Sequence, residues 1–356
     1  MITRTDTLND ALDRLQAYSY LDAPGFACHG PMGAETLSTL GHDDLVPAWV
    51  EAYKSRHQPL DAPPPKDRID PDDDTSWRPA LGDMARVSDW EATFRRELDA
   101  QPWPVVVARW APRLLPGYAG ALTHGLIRVA HAVRALPAES PPSDLALGEL
   151  AKGLAYWSAT FKALPGRPHL AGPLPLADAV AALPRPDEPW TALEAGTFAR
   201  LAQLDGFPAA VQALAPPSSR HEALSDLTAA FCRMIPTTSG GAVVGLVHTV
   251  TPVAAVRTLL PHVRDLTINV LYAQLWHVSA AIACGFAAPP PEEDTGIAPA
   301  HEAPAPSPDE LVARAVEHQD THALKFAEAC AREHALRPDP AYLLAAHHVI
   351  QQLPRW

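Results

Sequence analysis

Apolar residues recur along this chain at steps of three and four, the spacing that places them on one side of an α-helix. Leu8, Ala11, Leu12, Leu15 and Tyr18 define such a face over 7–21. A second helix opens at Pro31, which suits the first helical position because its missing N–H would be unbonded there anyway, and it stops at Gly41. Asp43 or Asp44 caps a third, through Trp49, Val50 and Tyr53. Ser88 with Glu91 forms a capping box ahead of Trp90, Phe94 and Leu98. Pro104 opens a helix to about Leu115, and 122–136 and 144–164 continue the period. Short helices follow between Leu193 and Ile235, long ones over 242–260 and 266–286, and 309–334 and 340–353 finish the chain. The run Val243-Val244-Gly245-Leu246-Val247 looks locally like a strand. With no second strand to pair it, helix is the reading. Segments 57–76, 165–190 and 287–308 are proline-rich connections, the last an exposed one. The pattern predicts an all-α fold, one large helical domain over 1–356.

Composition narrows the partners. At 356 residues and 47% apolar, the chain can bury a sizeable core. A net charge of −13 without any basic block disfavours nucleic acid and anionic membrane as partners. Cys28, Cys232, Cys284 and Cys330 have neither disulfide-framework nor zinc-site spacing, which fits a reducing cytoplasm. The N-terminal helix lacks the apolar run of a signal peptide. Segment 266–286, read as the only long apolar run, approaches a membrane span in length, but Asn269, Gln274 and His277 predict a buried central helix. Dinucleotide, phosphate-loop, nucleophile-elbow and His-Glu-x-x-His signatures are absent.

What remains in surplus is histidine, 16 of them. On a helical wheel of 311–330, His318, His322 and Lys325 border an apolar arc of Val312, Val316, Ala323, Phe326 and Cys330. A lysine there must be neutralised, paired or used, because an unpaired buried ammonium costs too much. His29, His124, His248 and His322 each have helix-forming apolar neighbours in separate parts of the chain. Such residues can converge in a bundle core, where helical metalloproteins build their sites, and imidazole suits iron, zinc or copper. The other reading is four hydrogen-bonded core histidines. His42, His57, His169, His221, His301, His334, His347 and His348 are expected at the surface or helix ends, and Trp276, Trp157, Tyr156, Phe231 and Phe326 are candidates for a flat aromatic pocket or plain core.

His29-Gly-Pro-Met, Thr123-His124-Gly-Leu-Ile-Arg128-Val-Ala-His131, His248-Thr-Val-Thr-Pro252 running on to Arg257-Thr-Leu-Leu-Pro-His262, and His322-Ala-Leu-Lys325 together resemble the questin oxidase-like family of aromatic polyketide tailoring enzymes. The resemblance extends along nearly the whole chain. It implies an α-helical oxygenase of anthraquinone-type substrates, acting by ring-opening dioxygenation or Baeyer–Villiger-like insertion. It also implies Fe(2+) held in the bundle core by His29, His124, His248 and His322, with Lys325 as a ligand after capturing carbon dioxide as a carbamate. Lys325 and His322 are then the catalytic candidates, and His131, His262 and His318 are substitutes or supporting groups. Aromatic substrate and dioxygen are the implied partners, with NADPH an optional reductant. Two competing readings are a non-catalytic helical binding protein for an apolar aromatic ligand, and a metal-free oxygenase with a histidine base.

Overall fold

The computed structural model describes residues 3–23, 25–137, 141–166, 168–185, 204–217, 219–263, 266–287 and 305–355. Over these the chain is all-α, with one short antiparallel strand pair among the described residues, β1 (Leu21–Asp22) with β2 (Phe26–Ala27). It divides into two compact units.

The first unit comprises Met1–Ala163 with Ala255–Leu266. Its helices are α1 (Arg4–Arg14), α2 (Gly30–Thr39), α3 (Val46–Arg56), α4 (Asp74–Trp77), α5 (Val87–Ala100), α6 (Trp103–Leu114), α7 (His124–Ala135) and α8 (Asp144–Ala159). Helix α8 is its axis: α5 and α7 pack along it, and α1 and α6 touch it. Leu150, Ala151, Leu154 and Ala155 are fully buried there. Gly125 lets α7 close onto α8, since a Cβ at that position would stand 2.6 Å from Trp157 Cα. Trp77, Trp90 and Phe94 meet Trp110 edge to face at 5.1–5.6 Å between centroids, contacts worth roughly 0.5–1.5 kcal/mol each beyond burial. Two expected caps are not formed. Asp43 accepts the Ser38 hydroxyl at 2.6 Å, and α3 starts at Val46 with no side-chain cap. Ser88 donates to the Pro63 carbonyl at 2.5 Å, and α5 starts one residue ahead of it.

The second unit comprises Leu164–Ala254 with Thr267–Trp356. It holds α9 (Leu176–Ala181), α10 (Phe207–Gln212), α11 (Arg220–Cys232), α12 (Gly241–Leu259, its last residues belonging to the first unit), α13 (Ile268–Phe286), α14 (Pro308–His318), α15 (Thr321–Leu336) and α16 (Pro340–Gln352). Helices α14, α15 and α16 pack on one another, and α11 lies against α13 and α16. The Val243–Val247 run is helical, as read. Gly245 faces the Phe286 ring, which a Cβ would meet at 2.4 Å, so α12 and α13 pack closely. Helix α13 is buried as expected, but it is not the chain's only long apolar run. Among the described residues Gly241–His262 is long and apolar enough to cross a membrane by length and composition alone; its 18-residue window has mean hydropathy 1.6, and 83% of that window is buried in the protein.

The helix expected over 309–334 is two helices. Gln319 turns the chain left-handed at φ 64° and ends α14. Asp320 then caps α15, accepting the backbone N–H groups of His322 at 2.8 Å and Ala323 at 3.1 Å. Most of the 287–308 connection, parts of 165–190 and 193–235, and His301 lie outside the described residues, as does the side chain of His221.

Candidate functional site

In the first unit the structure brings His29 and His124 together. His29 is the residue before α2, and its backbone N–H donates to Tyr53 Oη at 2.9 Å. The Tyr53 hydroxyl in turn donates to the buried Asp22 carboxylate. His124 opens α7. Its Nδ1 lies 2.7 Å from the Ala121 carbonyl, and since a carbonyl only accepts, Nδ1 carries the proton. The lone pair of neutral His124 is therefore on Nε2, which faces His29 Nε2 at 2.7 Å, with the rings stacked at 4.7 Å. As a hydrogen bond, that contact requires His29 Nε2 to be its donor.

The turn that delivers His124 is unusual. Ala121, Leu122 and Thr123 have φ of 47°, 47° and 68°, in the left-handed region, where the side chain crowds the following carbonyl. Gly120 makes the turn possible, because any Cβ there would fall 1.5 Å from the Thr160 carbonyl at the end of α8. With the chain wound this way, the Ala121 carbonyl reaches His124 Nδ1.

In the second unit the structure brings His248 and His322 together, with Lys325 beside them. His248, on α12, donates Nδ1–H to the Val244 carbonyl one turn back at 2.7 Å, again leaving the lone pair on Nε2. Its ring meets that of His322 edge to face at 5.6 Å. Burial, reinforced by the positive charge of Lys325, pushes the His248 pKa down to about 3, so this imidazole stays neutral across ordinary pH. His322 is in the first turn of α15, its Nδ1 3.8 Å from the Asp320 carboxylate, too far for a hydrogen bond. Lys325 follows one turn later with only 4% of its surface exposed. Burial raises the Asp320 carboxyl, while the N–H groups of Ala323 and His322 and the charges of His318 and Lys325 oppose that rise.

The three substitute histidines are engaged elsewhere. His131 Nδ1 lies 2.6 Å from the Glu35 carboxylate, in a buried cluster that Arg4 and Arg134 complete. His262 packs edge to face on Trp103 at 4.7 Å. His318 does not share a helix with His322. It ends α14, and its Nε2 lies 3.1 Å from the Leu353 carbonyl. Among the remaining histidines, His57 stacks on Tyr53 at 4.2 Å and is partly buried instead of lying at the surface. The five aromatic candidates are all buried; Trp276 donates to the Val211 carbonyl at 2.9 Å and meets Phe231 at 6.0 Å, which makes that pair core.

Sequence reading overlooked the groups that hold these side chains. Tyr53 and Asp22 fix the backbone at His29, and Asp320 caps the helix of His322. Arg128, one turn after His124, makes a two-pronged bridge to Glu149 of α8 at 2.7 and 2.9 Å and is wholly buried. A helix-opening aspartate is the one signal that could have revealed Asp320; the others depend on tertiary partners. No family model matches this chain, and no curated protein sequence matches it.

Proposed function

We propose that this chain is a non-haem iron oxygenase that cleaves or oxygenates the ring of an anthraquinone-like aromatic polyketide. In this reading His29, His124, His248 and His322 hold the metal, and Lys325 adds a carbamate oxygen. The resemblance of the four motifs supports the ligand set. The observation that carries it is the fixed tautomer at His124 and His248, each with Nδ1–H on a main-chain carbonyl at 2.7 Å and its Nε2 lone pair available for coordination. Metal-ligating histidines are oriented in this way. Spacing agrees as well: with metal–nitrogen bonds of about 2.0–2.1 Å, adjacent ligand nitrogens stand about 3 Å apart, close to the 2.7 Å between His29 and His124.

The residues of the chain divide the work. Three of the imidazoles, His29, His124 and His248, are buried, which excludes water from most of the donor set. Lys325 must be unprotonated to capture carbon dioxide, and burial of its side chain disfavours the charged form. The carbamate then provides the anionic oxygen that other non-haem iron sites take from Asp or Glu. Iron held by these residues would supply redox and Lewis-acid chemistry toward dioxygen. An electron-rich phenol or hydroquinone can furnish the electrons, which leaves NADPH for substrates that cannot.

Elemental analysis of protein purified without added metal tests the proposal. About one iron per chain, with a melting point lowered by chelation, is expected. Absence of metal together with unchanged melting on chelation would remove it. That result would favour a second reading, for which the 2.7 Å His29–His124 contact is a complete hydrogen bond: a metal-free oxygenase with a histidine base, or a binding protein for an apolar aromatic ligand.

A further inference from the structure

A groove of about 690 Å³ opens in the second unit between α9, the 214–217 connection, α11 and the start of α13. That volume falls within the roughly 300–1,000 Å³ of small-molecule sites, and none of the candidate metal ligands lines it. Leu176 and Val180 of α9, with Leu214 and Met234, give it apolar walls. The backbone ties those walls together, because Leu174, just ahead of α9, accepts the Ala215 N–H at 2.9 Å and donates to the Ala213 carbonyl at 3.0 Å. The charged lining comes from α11. Glu222 and Asp226, four residues apart, share one helix face, and Arg233 follows at the helix end. Asp226 pairs with Arg337, and Arg233 pairs with Asp339 at 2.5 Å, so those four charges cancel. Glu222 has no ion-pair or hydrogen-bond partner among the described residues, and its negative charge is left uncompensated in the groove.

Tyr272 of α13 adds a second observation. It is 3% exposed and lines the groove, and its hydroxyl makes no hydrogen bond among the described residues. Unlike the Thr123 hydroxyl and the Trp157 indole N–H, it is not sealed from solvent. Burial, reinforced by the Asp226 charge, raises its pKa, so it stays a hydroxyl that can donate and accept. A largely buried polar group without a partner is costly and rarely left so. We infer that this groove binds an apolar organic amine as its ammonium ion, which faces Glu222 and Asp226 and donates one N–H to the Tyr272 hydroxyl, while the apolar body lies on Leu176, Val180, Leu214 and Met234. An anionic head would meet two carboxylates of like charge, and an uncharged one would leave Glu222 unpaired. The inference does not depend on the metal reading.

Three probes that share a naphthalene body and differ in the head group test it by equilibrium dialysis against the full-length protein at neutral pH: 1-naphthylmethylamine, which is cationic there, 1-naphthalenemethanol, which is uncharged, and 1-naphthoate, which is anionic. The wild type is expected to bind the amine most tightly. Tyr272→Phe should weaken the amine about tenfold, the loss of one hydrogen bond to a charged group. Glu222→Gln should weaken it roughly two- to fivefold, as for an exposed ion pair, and leave the alcohol unchanged. Both substitutions keep the shape of the side chain, so the melting point should not move. An acidic protein of net charge −13 attracts cations in general, and Asp44→Asn, at an exposed position of the first unit, is the control. It should leave the amine unchanged. Equal affinity for the three probes, or an amine affinity that neither Tyr272→Phe nor Glu222→Gln alters, overturns the inference. So does an equal loss in Asp44→Asn, which would reduce the preference to general attraction of a cation.

Discussion

The Ala121 carbonyl accepts the Nδ1–H of His124 at 2.7 Å across three consecutive left-handed residues. Each such residue costs roughly 1–2 kcal/mol for an L-amino acid, so packing against α8 must hold the turn. Local stability is exchanged here for a histidine of fixed tautomer, a pattern typical of functional sites.

Ala121→Gly should therefore stabilise the protein by about 1 kcal/mol, because glycine adopts the left-handed region without that penalty. Chemical denaturation measures it. The sign decides: an Ala-to-Gly change in ordinary helix destabilises by roughly 0.5–1 kcal/mol, and such a loss would mean the turn is right-handed.

The Arg128–Glu149 bridge lies fully inside the first unit, and cutting one partner strands a charge there. Arg128→Met should cost about 3–5 kcal/mol, whereas Arg128→Met with Glu149→Leu should come close to wild type. Denaturation of the two single variants and the double variant shows the coupling, which additive effects would disprove.

The helices were largely legible because their signals are local. Pro31 and Pro340 mark true starts, and Val243–Val247 lies within a long helix. The break at Gln319 was not legible, since one residue at positive φ leaves the apolar spacing of 311–330 intact; His318 was therefore placed on the wrong helix. Ser88 and Glu91 have the identities of a capping box, but Ser88 donates to Pro63, and Glu91 accepts from Tyr20 and Arg95. For the candidate site, residue types and motif order pointed to His29, His124, His248, His322 and Lys325. The left-handed turn and the carbonyls that fix two tautomers are backbone geometry, which side-chain identity does not encode.

Glu35 gives a pH prediction. Burial raises its carboxyl, but the charge of Arg134 and the hydrogen bond with His131 outweigh burial and hold it well below the ordinary 4.5. A depressed folded pKa contributes stability that is fully present above the unfolded value and is lost as pH falls toward the folded one. The stability gap between wild type and Glu35→Gln should hence be widest near neutral pH and narrow below about pH 4.5, the reference value for a glutamate. Urea titrations at several pH values measure it, and a constant gap would show that Glu35 does not titrate in this sense.

As a hydrogen bond, the His29–His124 contact requires the proton on His29 Nε2, because Nδ1 of His124 is already the donor to Ala121. A metal at His29 Nε2 needs the lone pair there, so the ring proton must move to Nδ1, and a neutral imidazole makes that exchange without releasing a proton to the buffer. Single replacement of His29, His124, His248 or His322 by Ala should lower the metal content found by elemental analysis, and His169→Ala, at an exposed position, should leave it unchanged.

Lys325 offers the sharpest test of the proposed function. Its side chain is buried one turn from His322. As a carbamate it would be an anion, and three outcomes follow. Lys325→Arg should lose metal, because guanidinium keeps its charge and cannot capture carbon dioxide. Lys325→Ala should bind metal more weakly. Wild type prepared without carbon dioxide should regain iron when bicarbonate is added, whereas neither variant should respond. Lys325→Glu should recover part of the metal, since it restores an anionic oxygen with a shorter reach. A lysine that served only as a surface ion pair would contribute at most about 1 kcal/mol and leave metal binding untouched. Iron content of these variants, measured with and without bicarbonate and alongside the intact mass of the wild type, decides the matter. Full metal occupancy in Lys325→Arg would remove Lys325 from the ligand set and leave four imidazoles.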